Sequence, residues 1–169
     1  MKKTNSIIRF IKHMFSHPLQ AKRHFSAAAL HNIEQAIKAS EQKHAGEIRF
    51  IVETGLHPLE ILYKKNPKKR ALELFGRLNI WDTEHNNGVL IYLLLADRDV
   101  EILADRGIHQ HVGDDGWEQI CRDMETLFRK AEFEAGVLQG IAEISAELEK
   151  HFPPTGLNKN EISNKPIIL

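Results

Sequence analysis

Residues 86–107 read NNGVLIYLLLADRDVEILADRG. The run from Val89 to Ala96 is apolar throughout; a four-residue turn, Ala96-Asp97-Arg98-Asp99, follows, and the chain then alternates to Ala104. An apolar run of this length bounded by turn residues reads as a strand buried on both faces, and an alternating return reads as a strand with one wet face. Together they form a β-hairpin. A hairpin whose first strand is covered on both sides needs a layer above it and another below it. The stretch therefore predicts a layered α/β domain.

The neighbouring sequence supplies those layers. Glu47 to Thr54 alternates, with Ile48, Phe50 and Val52 on one face and Glu47, Arg49, Ile51 and Glu53 on the other. Between this strand and the hairpin, Pro58 to Tyr63 suits a short helix. Asn66-Pro67 caps and opens a longer one, with Ala71, Leu74, Phe75 and Leu78 inward. A helical crossover joins parallel strands, so the sheet is mixed. Upstream, Ser26 caps a helix with the stripe Ala29, Leu30, Ile33 and Ile37. Downstream, Asp114-Asp115-Gly116, with Asp115 as cap, opens a helix through Trp117, Ile120, Cys121, Met124 and Phe128. A last helix carries Val137, Leu138, Ile141, Ile144, Leu148 and Phe152 and stops at Pro153-Pro154. The expected architecture is a three-layer α/β/α sandwich around a small mixed sheet containing the hairpin. Residues 1–24 form a basic extension, 25–152 the domain, and 153–169 a disordered tail.

At 169 residues, with 42% hydrophobic and 27% charged residues, one globular domain accounts for the chain. Lys+Arg and Asp+Glu balance at 23 each, which gives no overall attraction to nucleic acid, and no aromatic-interleaved basic surface suggests one. The extension is different: Lys2, Lys3, Arg9, Lys12, Lys22 and Arg23 occur there without an acid. Ile7, Ile8, Ile11, Met14 and Phe15 fall on one helical face, ended by His17-Pro18. Such a helix either packs on the domain as an extra element or presents a face to a membrane surface or partner protein. Cys121 is the only cysteine, so no intrachain disulfide forms, and its place on an apolar stripe marks a core thiol. No apolar run approaches the roughly 20 residues that span a bilayer. A cytoplasmic monomer, peripheral to a membrane at most, is the expectation.

Chemistry concentrates at the hairpin's open end. A turn centred between Asp97 and Arg98 sets Leu90 opposite Asp105 and Gly88 opposite Gly107. Asn86 and Asn87 then lie within reach of Asp105, Arg106 and Asp114, with Asp82 and Glu84 as neighbours. Carboxylates and amide carbonyls are the ligands of hard cations such as calcium or magnesium, so Asn86, Asn87, Asp105 and Asp114 are candidate metal ligands. Such an ion is not needed for folding. Asp105 and Arg106 are the catalytic candidates, the first through a metal-bound water and the second as a planar donor to phosphate. The alternative is plain turn chemistry, with Asn87-Gly88 and Asp105-Arg106-Gly107 merely closing strands. At the other end of the sheet Glu53, Asp97 and Asp99 form a second acidic cluster. The ten histidines lack His-Glu-x-x-His spacing, so zinc is not expected.

These residues also carry a resemblance. Asn86-Asn87-Gly88-Val89-Leu90-Ile91, then Asp97-Arg98-Asp99-Val100-Glu101-Ile102, then Gly107 and Asp114, resemble the signature of the TPM-domain family, which includes thylakoid lumenal phosphatase-like proteins and photosystem repair factors. The likeness spans residues 26–152 and suits a short bacterial-type member. It implies an α/β/α sandwich, calcium binding and weak acid-phosphatase activity. The family's glycine-aromatic-glycine at the hairpin end reads Asp105-Arg106-Gly107 here, and no nucleophile or general base stands out. The expected function is a non-catalytic, divalent-metal-binding interaction module; the alternative is a weak metal-dependent acid phosphatase acting on phosphate esters.

Overall fold

The computed structural model describes residues 6–16, 18–63, 65–154 and 159–169; Lys2, Lys3 and His17 of the basic extension lie outside them. In chain order the elements are α1 (Ser6–Met14), α2 (Pro18–His24), α3 (Ala27–Ser40), β1 (Glu47–Glu53), α4 (Pro58–Leu62), α5 (Pro67–Arg77), β2 (Gly88–Leu94), β3 (Asp99–Ala104), α6 (Arg106–Arg129), α7 (Phe133–His151) and β4 (Ile167–Ile168). The sheet order is β3-β2-β1-β4, with β1 parallel to β2 and to β4, and β2 antiparallel to β3. The mixed sheet and its helical crossover through α4 and α5 are as the sequence predicts.

Every residue of β2 is buried, because helices cover both faces of the sheet. On one face Ile48, Phe50, Val52, Val89, Ile91 and Leu93 meet Ile33 and Ile37 of α3, Met124 and Phe128 of α6, and Val137 and Ile144 of α7. On the other, Ile51, Leu90, Tyr92 and Leu94 meet Ile61 of α4, Ala71 and Leu74 of α5, and Ile80. Each fully buried aliphatic side chain contributes about 1.5–3 kcal/mol, so this doubly covered strand carries much of the core's stability. Ser26 caps α3 as expected, its Oγ accepting from the Ala29 amide at 3.1 Å.

Three expectations need correcting. The hairpin turn occupies Leu95 to Arg98, one residue earlier than read, and Leu94 pairs with Asp99. Arg98 closes it in a left-handed conformation with φ of 52°. Gly88 consequently bonds across to Asp105, whose amide donates to the Gly88 carbonyl at 2.9 Å, and not to Gly107. The slip is by two residues, so every side chain keeps its expected face. Second, the expected loop from Arg106 to Gly113 is helical. Asp105 caps α6, its Oδ1 accepting from the Arg106 amide at 2.7 Å. A break at Gly113, with φ of 70° and ψ of 172°, divides α6 into two helical segments, and Asp114-Asp115-Gly116 opens the second as the sequence predicts.

Third, residues 159–169 are docked and not a disordered tail. The Glu47 carboxylate accepts from the Glu161 and Ile162 amides at 3.1 and 3.0 Å. The Asn164 amide donates to Glu41 Oε2, and Arg49 donates to the Ser163 carbonyl. Leu169 then bonds both ways with β1 and its extension, donating to Val52 at 2.9 Å and accepting from the Thr54 amide at 3.1 Å. Polar composition suggested disorder, but its partners are two carboxylates buried on the domain. Burial, and then the neighbouring charge of Glu47, pushes the Glu41 carboxyl up to about 8.

A carboxyl whose pKa rises on folding favours the folded state when protonated. That contribution is whole below the ordinary 4.5 and is lost as the pH climbs through about 8. Thermal denaturation from pH 5 to 9 is expected to show a falling melting temperature, and Glu41→Gln a shallower fall. Equal slopes would remove Glu41 as the source.

Candidate functional site

At the end of the sheet where β2 begins, a loop brings Asn86 against the start of α6. Asn86 adopts φ of 52°, which asparagine tolerates better than most residues. Its carbonyl accepts from the Gly107 amide at 2.9 Å, and its Oδ1 accepts from Arg106 Nε at 3.2 Å. Glycines permit this approach and a second one beside it. A Cβ on Gly107 would lie 2.5 Å from the Asn86 oxygen, and one on Gly88 would lie 2.0 Å from the Ile80 oxygen.

Asn87 is fully buried; its amide donates to Thr83 Oγ1 at 3.0 Å and its Nδ2 to the Ala45 carbonyl at 2.9 Å. Asn87 Oδ1 and Asp105 Oδ2 are both buried and have no hydrogen-bond partner among the described residues. Asp114 is exposed beyond the Gly113 break, 4.0 Å from His109 Nε2, and Asp82 and Glu84 face solvent. The structure thus brings Asn86, Arg106 and Gly107 together and leaves Asp114, Asp82 and Glu84 apart. Among the described residues no group of three or more His, Cys, Asp or Glu side chains is arranged to hold a metal ion.

At the opposite end, the carboxylates of Glu53, Asp97 and Asp99 have separate roles. Glu53 accepts from Arg70 at 2.8 and 2.9 Å and from the Tyr92 hydroxyl at 2.7 Å. The tyrosine was the readable signal, since a hydroxyl inside an apolar strand requires a partner. Burial and then the Glu53 charge push the Tyr92 hydroxyl well above its ordinary value. Asp97 accepts from Arg9 Nε at 2.9 Å and from His13 Nε2 at 3.1 Å. His13 Nδ1 accepts from the Leu56 amide at 2.9 Å, which assigns the proton to Nε2. Burial raises the Asp97 carboxyl, but the bonds from His13 and Arg9 outweigh it and hold the group below its usual range. Asp99 stands apart, raised to about 7 by burial and then by the charges of Glu101, Glu125 and Asp97.

The Asp97 contacts fix the orientation of α1. Arg9 and His13 face the domain, and Phe10 packs beside the second core layer. The apolar stripe faces water: Ile7 is 67%, Ile8 51%, Ile11 46%, Met14 48% and Phe15 70% exposed. Leu59, Leu62 and Tyr63, on and just after the neighbouring α4, are exposed too. The helix does pack on the domain, but through Arg9, Phe10 and His13, and the expected stripe of Ile7, Ile8, Ile11, Met14 and Phe15 is not the face it buries.

The TPM domain model matches residues 20–147, most of the chain, and the chain belongs to the TPM domain family. The BA42 protein of the psychrophilic bacterium Bizionia argentinensis, solved by NMR, is 28% identical over 86% of this chain and 95% of its own, with a TM-score of 0.76. The N-terminal domain of a P. gingivalis protein is similar in fold alone, at 20% identity over 83% of this chain and 94% of its own, with a TM-score of 0.59. No curated protein matches the sequence. Helix α1 lies before the matched residues.

The close approach at Gly88 is testable against a glycine without neighbours. Gly88→Ala sets a methyl against backbone and is expected to destabilise by about 1–3 kcal/mol in urea denaturation. Gly76→Ala, in α5 with nothing within 4 Å of the added carbon, is expected to stabilise by about 0.5–1 kcal/mol. Equal effects would remove the steric account.

Proposed function

We propose that this TPM domain is a non-catalytic interaction module that lies on an anionic lipid surface through the apolar face of α1. One observation carries the reading: α1 spends its polar residues Arg9 and His13 on the domain and leaves Ile7, Ile8, Ile11, Met14 and Phe15 in water. Exposed apolar surface grouped on one helix face marks an interaction site far more often than scattered single residues do. The surrounding charge suits anionic lipid: no acid occurs in residues 1–24, and Lys12, Lys22 and Arg23 are exposed. Basic residues close to such a surface contribute about 1 kcal/mol each. Among the described residues no helix is long and apolar enough to cross a membrane, and the reading is of a helix lying in the interfacial plane.

The reading includes a weak divalent-ion site, for calcium before magnesium. Asp105 Oδ2 and Asn87 Oδ1, the buried side-chain oxygens without partners among the described residues, are of the kind calcium takes. A single carboxylate, with the Arg106 guanidinium on the adjacent Asn86, keeps such a site weak. Magnesium, which keeps most of its waters, gains less from isolated amide oxygens.

Co-sedimentation with phosphatidylglycerol vesicles tests the docking. Ile8→Glu with Phe15→Glu is expected to lower binding by about tenfold or more, as loss of two buried apolar side chains requires. Equal sedimentation would overturn the lipid reading, as would protein-partner binding through this face with no vesicle binding. Calorimetric titration with calcium tests the ion, and Asp105→Asn, which still caps a helix, is expected to weaken it by about tenfold. Unchanged affinity removes Asp105 as a ligand. Calcium-dependent turnover of a phosphate ester, lost in Asp105→Asn, would replace this reading with the alternative of a weak acid phosphatase.

A further inference from the structure

A cleft of about 810 Å³ opens between the two N-terminal helices and the hairpin turn, at the end of the sheet where the parallel strands β1 and β2 finish. Open α/β sheets commonly hold ligands at that end. Its floor is apolar, made by the buried Leu95 and Phe133, and the His24 ring lies 4.5 Å from the Phe133 ring. Its walls are cationic. Lys12, Arg23 and Arg98 line it, all exposed, and none makes a side-chain hydrogen bond or ion pair among the described residues. The one acid lining it, Asp97, already accepts from Arg9 and His13. Three basic side chains therefore share one concavity, and among the described residues none of them is paired with an acid.

Two further observations concern the arginines. Burial, then the charges of Arg98 and Arg23, hold His24 below its ordinary range, so both guanidinium groups bear on the ring at the floor. Arg98 also occupies a left-handed position, φ of 52°, in the hairpin turn. Glycine or asparagine fits that conformation at less cost, and strained backbone of this kind clusters at ligand sites.

We infer that this cleft binds a polyphosphorylated organic anion, its phosphates held by Arg23, Arg98 and Lys12 and its flat or apolar body laid against Phe15 and the His24–Phe133 pair. A monoanion would neutralise one of the three cations, whereas a di- or triphosphate neutralises them together. Guanidinium groups bond phosphate oxygens in pairs, and aromatic faces accept a planar ring. The volume falls in the range of small-molecule sites. The same chemistry occurs in a soluble nucleotide and in a multiply phosphorylated lipid headgroup. The cleft shares Lys12, Phe15 and Arg23 with the docking reading, but Arg98 belongs to the cleft alone and the probes are soluble, so failure of this inference leaves the docking reading intact.

Calorimetric titration of the full chain with ATP and, separately, with inositol 1,4,5-trisphosphate tests it, at low and at physiological salt. At least one probe is expected to bind, more weakly at the higher salt, and the one that binds identifies the source. Arg23→Ser and Arg98→Gly are each expected to lower that affinity by about tenfold or more, the loss of a charge-assisted contact. Arg98→Gly relieves the left-handed strain, so its melting temperature is expected to hold or rise while binding falls. Binding of neither probe, or affinity unchanged in both variants, would overturn the site.

Discussion

A strand with no exposed residue constrains everything around it. β2 presents apolar side chains to both faces and backbone groups to both edges, and water reaches none of them. Buried backbone donors and acceptors require partners, so β1 and β3 must flank it. Its two faces require two helical layers. α5 with its flanking loop supplies one, and α3, α6 and α7 supply the other. The crossover between β1 and β2 follows from the same demand, because parallel neighbours cannot be joined by a tight turn.

Much of this was legible because hydrophobic periodicity reports burial directly. The hairpin, the first strand, the Ser26 cap and the helices through Leu74 and Val137 all carry that signal. Register was less legible. The turn could be centred on either side of Asp97, and the choice fell to Arg98 adopting a conformation that its residue type disfavours. The start of α6 was hidden for a different reason: Arg106 to Gly113 signals its inward face with the single pair Ile108 and Val112, and Asp105 reads equally as a ligand or a cap. Residues 159–169 were misread because their fixing points, Glu41 and Glu47, lie far away in sequence and look like ordinary surface acids. At the open end, Asn86, Arg106 and Gly107 meet as the hairpin reading required, while Asp114 is carried away by the helix break.

Charge is partitioned along the sheet more sharply than a net charge of zero suggests. Buried carboxylates hold the C-terminal segment, and Glu53 is consumed by Arg70 and Tyr92. Asp97 is consumed by α1, which explains how a helix can be anchored while its apolar face stays in water. The arginines and lysine left over gather beside that anchor. Family membership accounts for the sandwich. Helix α1 lies before the residues that the family model matches.

The pairing of β4 with β1 also sets an order of events. Thr54 and Leu169, bonded to one another, are 115 residues apart in the chain. During synthesis β1 emerges early, and its outer edge stays unpaired until residues 167–169 exist. Contacts of such long sequence separation form late in folding as well. An unpaired edge is a template for a strand from another molecule, and charged residues are a recognised defence. β1 carries Glu47, Arg49 and Glu53 within seven residues. Glu47 and Arg49, which later receive the C-terminal segment, are thus of the kind that guards a nascent edge until its own partner arrives.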